Sequence, residues 1–200
     1  MQIKVPPSTP RELLETREQR LTGFLTAGIK DVADAPEATT ERTILAVARC
    51  GESPVARALI ALRPTLAATG FKVRVVFSEE DAQIDQFIAG SHDGGFGGGA
   101  MPDIRVVRNP RLRDAHEQLI VSGSAVWFGD SLRRDINRRD LFEQFLGSAP
   151  ETALAAARAF EKLWARTEPH LTLAALAPDS LAALPGQTPD NAGPADPAPR

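Results

Sequence analysis

Arginine side chains are concentrated on either side of a single histidine between residues 104 and 139. Guanidinium groups match the geometry of phosphate oxygens, so this stretch could form a pocket for a phosphate-containing anion. Aspartate and glutamate residues are interspersed and leave only a small net positive charge. A solvated surface held by salt bridges is therefore the open alternative. The histidine is His116, and the arginines are Arg105, Arg108, Arg111, Arg113, Arg133, Arg134, Arg138 and Arg139.

A glycine-rich run, residues 94–99, is a second segment that could hold phosphate through backbone amides. A phosphate loop needs a strand before it and the start of a helix after it. Here Pro102 and a predicted strand follow, and the lysine–hydroxyl pair of a Walker motif is missing. We therefore interpret the run as a flexible lid or linker, with an anion site as the less favoured alternative.

The other residue types that bind metals or act as nucleophiles do not form a recognisable site. His92, His116 and His170 are far apart in sequence and lack a cysteine or carboxylate cluster at ligand spacing. The single cysteine, Cys50, has no supporting histidine nearby, which favours an ordinary buried or edge cysteine over a nucleophile. We expect no metal and no cofactor.

The tripeptide His116-Glu117-Gln118 begins an ordered series of segments. An apolar run (119–121), a turn (122–124) and a second apolar run (125–128) follow it, and then Gly129-Asp130-Ser131. This order resembles the signature half of the phospholipase D superfamily, where His-x-Lys, two strands around a turn and Gly-Ser-x-Asn follow one another. A helix and strand upstream, Glu143 near the family's downstream glutamate, and Phe160-Glu161-Lys162-Leu163-Trp164 extend the resemblance over residues 43–168.

The resemblance implies roles for individual residues. In the family, the histidine attacks phosphorus and forms a phosphohistidine, while lysine, asparagine and serine stabilise the oxygens that gain negative charge. A family active site needs two halves, so a chain with one half implies a homodimer with two His116 side chains facing across a twofold axis. The implied catalytic residues are His116 and Glu143, and the implied ligand-binding residues are Gln118, Ser131, Arg133 and Arg134.

Three departures from the family pattern degrade the catalytic motif. Gln118 replaces the family lysine, Gly123 replaces the turn aspartate, and Arg133 replaces the asparagine. A neutral amide lacks the positive charge of lysine, and losing one such contact costs about 3 kcal/mol of transition-state stabilisation. Arg133 or Arg134 could compensate, although a guanidinium differs in geometry from an ammonium. The sequence therefore favours a vestigial or ligand-contacting His116 over a working nucleophile.

The elements around this motif follow an α/β pattern. Residues 1–42 are predicted to form a helix and linker, because apolar residues recur there at helical spacing. Short β-branched runs at Thr43–Ala48 and Lys72–Phe77 flank a predicted helix, which indicates a βαβ unit with adjacent parallel strands. Further helices are predicted at 79–89, 140–146 and 150–166, a strand at 104–107, and a hairpin around the turn at 122–124.

The predicted fold class is thus α/β, with a mixed sheet flanked by helices, as in a phospholipase D-like half domain over residues 43–168. Residues 169–200 are rich in proline and alanine, and we expect a largely disordered tail. The N-terminus lacks the apolar core of a signal peptide, and no apolar run is long enough to predict a transmembrane segment. With one cysteine, these features predict a cytoplasmic protein. The excess of arginine over lysine is typical of GC-rich bacteria.

Three hypotheses of function follow. The first is a non-catalytic, homodimeric binding or scaffolding module for a phosphate-containing ligand or a protein partner. The second is a phosphodiesterase, of nuclease or phospholipase type, with His116 as nucleophile. The third is a module for protein interaction alone, in a signalling or envelope system. The net charge of −3 argues against a general nucleic-acid coat protein but leaves nucleic acid open as a ligand.

Overall fold

The computed structural model describes residues 10–34, 41–92, 102–113, 115–129 and 143–170. Within these ranges the strands are β1 (Thr43–Ala48), β2 (Lys72–Phe77), β3 (Asp103–Val106), β4 (Glu117–Val121), β5 (Ala125–Gly129), β6 (Glu143–Leu146) and β7 (Glu168–Pro169). The helices are α1 (Pro10–Asp34), α2 (Pro54–Ala61), α3 (Arg63–Thr69), α4 (Ala82–His92) and α5 (Pro150–Trp164). The strands form one mixed sheet in the order β6-β5-β4-β1-β2-β3-β7, which confirms the predicted fold class.

The parallel part of the sheet consists of β1, β2 and β3. β1 and β2 are adjacent and parallel, with Thr43 opposite Lys72 and Ala48 opposite Phe77, as the βαβ pattern predicted. Their connection is two short helices, because Pro64 at the start of α3 breaks the helical run after Ala61. Gly70 ends α3 in the left-handed conformation at φ 71°, which a glycine adopts without steric cost.

The antiparallel part begins at β4, which pairs with the other side of β1. β4 and β5 form the predicted hairpin, with Val121 opposite Ala125. Ser122 and Gly123 at the turn have φ 46° and 66°. Two successive positive φ values match the twist of a tight hairpin, so the turn brings β5 back in register with β4.

The predicted helix over residues 140–146 is wrong where the structure describes it. Glu143–Leu146 is instead β6, the edge strand, which pairs antiparallel with β5. The apolar residues of this short segment fit a helical spacing, but pairing with β5 satisfies the backbone groups that face that strand. The Phe145 ring also packs near the rings of Trp127 and Phe24, at 6.2 and 5.6 Å between centroids. Tertiary contacts therefore override the local pattern.

Hydrophobic cores lie on both faces of the sheet. One face packs against α1, α2 and α4, and this core includes Trp127 and Phe71. The other face packs against α5, and this core includes Val47 and Phe160. Helix α1 runs without a break past Gly23 and Gly28, and its residues Leu21, Leu25, Ile29 and Val32 are buried in the first core.

Several sequence predictions lie outside the described residues: the glycine-rich run at 94–99, Ser131, Arg133, Arg134, and residues 171–200. Pro169 and His170 continue the sheet, because His170 N donates a hydrogen bond to Ile104 O. No helix in the described ranges is both long enough and apolar enough to cross a bilayer.

Candidate functional site

Strand β4 sends the residues that follow His116 to opposite faces of the sheet. Side chains alternate along a strand, and Leu119 and Val121 pack into the core beneath α1 while Ile120 packs into the core beneath α5. Glu117 therefore faces α1, and Gln118 faces α5. His116 directly precedes the strand and is exposed.

Glu117 is a buried carboxylate held at the carboxyl end of β1. Only 1% of the residue is exposed. Its Oε1 accepts a hydrogen bond from Arg49 N at 3.0 Å. Burial raises the pKa of Glu117, and the contacts with Arg49, Arg17 and Ser53 oppose that rise without reversing it. The carboxylate thus ties the start of β4 to the end of β1.

Glu143, the predicted catalytic carboxylate, forms ion pairs with two arginines of α1. Arg17 Nε lies 2.7 Å from Glu143 Oε1, and the Arg20 guanidinium contacts Glu143 Oε2 through Nη2. The Arg17 and Glu143 side chains are 6% and 7% exposed. The Arg17 Nε–H does not point along the contact, so this is a close ion pair without a well-directed hydrogen bond. Glu143 lies on the same face of β6 as Phe145, whose ring contacts Phe24 of α1.

Arg17 occupies the space above Gly129. A Cβ atom at Gly129 would lie 2.3 Å from Arg17 Nη2 and 2.3 Å from the Trp127 ring, so only glycine fits this position without a shift. The guanidinium carbon lies 5.2 Å from the centroid of the Trp127 ring, which is within cation–π range. The same Nη2 atom lies 4.0 Å from Glu117 Oε2. One buried cation thus lies between two buried carboxylates.

The predicted site residues are therefore not brought together on one face. Gln118 faces α5, whereas Glu143 is held on the α1 side of the same sheet. His116 lies exposed at the start of β4, and Ser131, Arg133 and Arg134 are outside the described residues. The catalytic role of His116 and Glu143 stays a prediction.

The arginines of the stretch at 104–113 have different environments. Arg105 stacks on the Trp164 ring at 4.6 Å and donates hydrogen bonds to Trp164 O and Thr167 O. Arg108 pairs with Glu168 at 3.2 Å. Arg111 and Arg113 are exposed, and neither side chain has an ion pair with another described residue. The solvated-surface interpretation thus fits Arg108, and Arg111 and Arg113 lie exposed nearby.

A 3-10 turn (Pro110–Leu112) fixes the direction of these two arginines. The Asn109 side chain accepts a hydrogen bond from Arg111 N at 3.0 Å, which caps the turn. Leu112 packs against the core beneath α5. Because Leu112 is directed inward, Arg111 and Arg113 on either side of it point to solvent.

The sequence did not single out Arg17 as a functional residue. It lies four residues before Leu21 on the apolar stripe of α1, which continues through Leu25 and Ile29. A charged residue on a buried apolar stripe needs a buried partner. The position of Arg17 on this stripe is therefore the sequence feature that indicates a buried ion pair. The identity of the partner depends on how β4 and β6 are placed.

Other candidate residues do not add a site. Burial raises the pKa of the Cys50 thiol, which disfavours the reactive thiolate. His170 Nε2 lies 3.1 Å from Asp85, and its Nδ1 lies 3.8 Å from Glu80. Across the described ranges, no three His, Cys, Asp or Glu side chains are placed to hold a metal ion.

Comparisons with known proteins find likeness only among solved structures. No protein-family model and no curated protein matches the chain. Nuc from Salmonella typhimurium, a phospholipase D family member, is similar at 13% identity and a TM-score of 0.45, over 72% of this chain and 89% of that one. NucT from Helicobacter pylori is similar at 11% identity and a TM-score of 0.46, over 76% of this chain and 94% of NucT. TrmBL2, an archaeal chromatin protein, is similar at 12% identity and a TM-score of 0.49, over 75% of this chain and 51% of TrmBL2.

Proposed function

We propose that this chain is a degenerate, non-catalytic phospholipase D-like domain that binds a phosphate-containing ligand as a homodimeric binding or scaffolding module. The observation that carries the proposal is the placement of Glu143, whose carboxylate is ion-paired with Arg17 and Arg20 on the α1 side of the sheet. Gln118 faces the opposite side. A catalytic site made from His116, Gln118 and Glu143 of one chain would need the last two side chains to meet, and the sheet lies between them.

The chemistry of residue 118 also supports binding without turnover. Phosphoryl transfer builds negative charge on the phosphate oxygens, and a neutral Gln118 amide stabilises that charge less than the family lysine does. Binding of a phosphate in its ground state needs only a positive surface and hydrogen-bond donors. Arg111 and Arg113, exposed on the turn that precedes His116, can provide the positive charge.

Binding experiments test this function directly. Fluorescence anisotropy would follow a fluorescein-labelled oligonucleotide, and co-sedimentation would follow vesicles that contain phosphatidic acid. We expect one of these probes to bind the wild type, and the double variant Arg111→Ala/Arg113→Ala to bind it about tenfold more weakly. Lys72→Ala is the matched control, because Lys72 is an exposed cation at the opposite end of the sheet. Equal binding by the double variant and the wild type would contradict the assignment of the ligand surface.

The homodimer is part of the proposal and has its own test. Multi-angle light scattering of the purified full chain should give twice the chain mass of 21.5 kDa. A monomer at all concentrations would remove the two-half active site that the resemblance implies. If the dimer forms but binds no phosphate probe, a protein partner becomes the better assignment for the scaffold.

The second candidate function is a phosphodiesterase with His116 as nucleophile. The exposure of residue His116 at the start of β4 favours it, because a nucleophile must be accessible to a substrate phosphate. Arg133 or Arg134 would then replace the family lysine as the cation. This alternative predicts hydrolysis of a simple phosphodiester that disappears in His116→Ala.

A further inference from the structure

Three strand ends lie side by side beneath the Arg17 side chain. Glu117 begins β4, Gly129 ends β5, and Glu143 begins β6. The sheet register places Glu117 opposite Gly129 and Gly129 opposite Glu143. Arg17 lies 4.0 Å from the Glu117 carboxylate and 2.7 Å from the Glu143 carboxylate. It also fills the space that a side chain at residue 129 would need.

The placement of a charge here is not explained by packing alone. The rest of the α1 stripe that enters this core is apolar, with Leu21 and Leu25 fully buried. Taking an arginine and two glutamates out of water costs free energy that their attraction only partly returns. Replacing all three charged residues together by well-packed apolar side chains would therefore often stabilise the fold as well or better. In some proteins a buried ionic network instead fixes the relative geometry of the elements that carry its members.

That geometry includes the position of His116. Glu117 is the residue next to it, and the Glu117 carboxylate is held from two directions. Arg49 N donates to it from the end of β1, and Arg17 lies on its other side from α1. The hydrogen bond from Arg49 N holds Glu117 Oε1, and the Arg17 charge lies 4.0 Å from Oε2 without a hydrogen bond. These two contacts constrain the backbone at the start of β4. His116, which is exposed, is the adjacent residue.

We propose that Arg17 is a positioning residue for the ligand site at His116, acting through Glu117 at the start of β4. This rests on the proposed function, because it assigns His116 to the ligand surface. Arg17 lies on the α1 face of the sheet, opposite the face of Gln118, and acts on the site through Glu117. The same side chain holds Glu143, so the residue predicted as catalytic takes part in fixing the strand ends.

The test compares substitutions that alter the network with one that only loosens α1. Arg17→Met removes the charge and keeps a similar length, whereas Arg17→Lys keeps the charge without the planar fork. Glu117→Gln is milder, because an amide oxygen can still accept from Arg49 N. Ile29→Ala is the control, since Ile29 is buried on the same helix and outside the network. The first readout is the ¹H–¹³C shift of the His116 imidazole at fixed pH, assigned with His116→Ala.

We expect the His116 resonance to move in Arg17→Met and Glu117→Gln, to return part of the way in Arg17→Lys, and to stay in place in Ile29→Ala. The second readout is affinity for the phosphate probe that binds the wild type, which should fall about tenfold in Arg17→Met. If the wild type binds no probe, the proposed function fails, and the imidazole shifts still decide whether Arg17 positions His116. If Arg17→Met does not fold, Glu117→Gln decides the question. An unchanged His116 resonance in folded Glu117→Gln would overturn the proposal.

Discussion

The guanidinium of Arg17 on α1 and the carboxylate of Glu143 on β6 form a buried ion pair, with Nε and Oε1 2.7 Å apart. The pair joins the first helix of the chain to the edge strand of the sheet, across Gly129 and beside Trp127. The pair also gives a structural role to Glu143, the residue that the sequence resemblance associates with catalysis. Glu143 has cationic partners in the folded chain, and they come from α1, outside the segment that resembles the phospholipase D family.

Removing the cation should be strongly destabilising. Arg17→Met leaves two buried carboxylates without their shared partner, and breaking a buried pair in this way typically costs about 3–5 kcal/mol. The measurement is the free energy of unfolding in urea. Lys30→Met is the matched control, because Lys30 is a cation of the same helix in an exposed pair with Asp34. That variant should stay within about 0.5 kcal/mol of the wild type.

The double variant Arg17→Met/Glu143→Gln tests whether the two side chains interact. With the charge at residue 143 removed, the loss caused by Arg17→Met should become smaller, giving a coupling free energy of about 1–3 kcal/mol. Additive effects of the two substitutions would mean that the pair is not coupled in solution.

Gly129→Ala should destabilise the protein by about 1–3 kcal/mol, since overpacking displaces well-placed neighbours. The added Cβ would lie 2.3 Å from both Arg17 Nη2 and the Trp127 ring, and neither can move freely in the core. Gly147→Ala is the control, because a Cβ there meets no atom within 4 Å. Thermal unfolding of the two variants provides the comparison. Similar melting temperatures for both would show that Arg17 does not occupy the space above Gly129.

Glu117 should make the stability of the fold depend on pH. Burial raises its pKa in the folded state above the ordinary value of 4.5, so the folded state binds a proton more tightly than the unfolded state does. Its contribution to stability is therefore full below about pH 4.5 and is lost as the pH rises through the raised pKa. The difference in unfolding free energy between wild type and Glu117→Gln should fall from about pH 5 upward, by at most about 1.4 kcal/mol per pH unit. A difference that rises with pH would contradict this.

Two arginines three residues apart should differ sharply in their contribution to stability. Arg105 stacks on Trp164 and donates to two backbone carbonyls near the end of α5, whereas Arg108 has one exposed partner, Glu168. Arg105→Met should cost about 1–3 kcal/mol because the carbonyls lose a charged donor. Arg108→Ala should change stability by less than about 0.5 kcal/mol. Urea unfolding of both variants measures the difference, and equal losses would contradict the structural role of Arg105.

The sequence predicts the elements whose signals are local. β-branched runs indicate β1 and β2, and the turn around Gly123 indicates the β4–β5 hairpin. The helix predicted at 140–146 is wrong over Glu143–Leu146 for a physical reason. This four-residue edge strand is defined by its pairing with β5, which no local pattern in the sequence reveals. The Arg17 network is long-range in the same way. Its members come from α1, β4 and β6, and no spacing along the chain relates them.

The most direct measurement of the central claim is turnover of bis(p-nitrophenyl) phosphate by the purified chain, compared with His116→Ala. Gln118→Lys should be assayed beside them, because it restores the family cation while Gly123 and the segment after Gly129 still deviate. We predict that the wild type releases nitrophenol no faster than His116→Ala, and that Gln118→Lys gains little. Hydrolysis by the wild type that disappears in a folded His116→Ala variant would contradict the non-catalytic account and establish His116 as a working nucleophile.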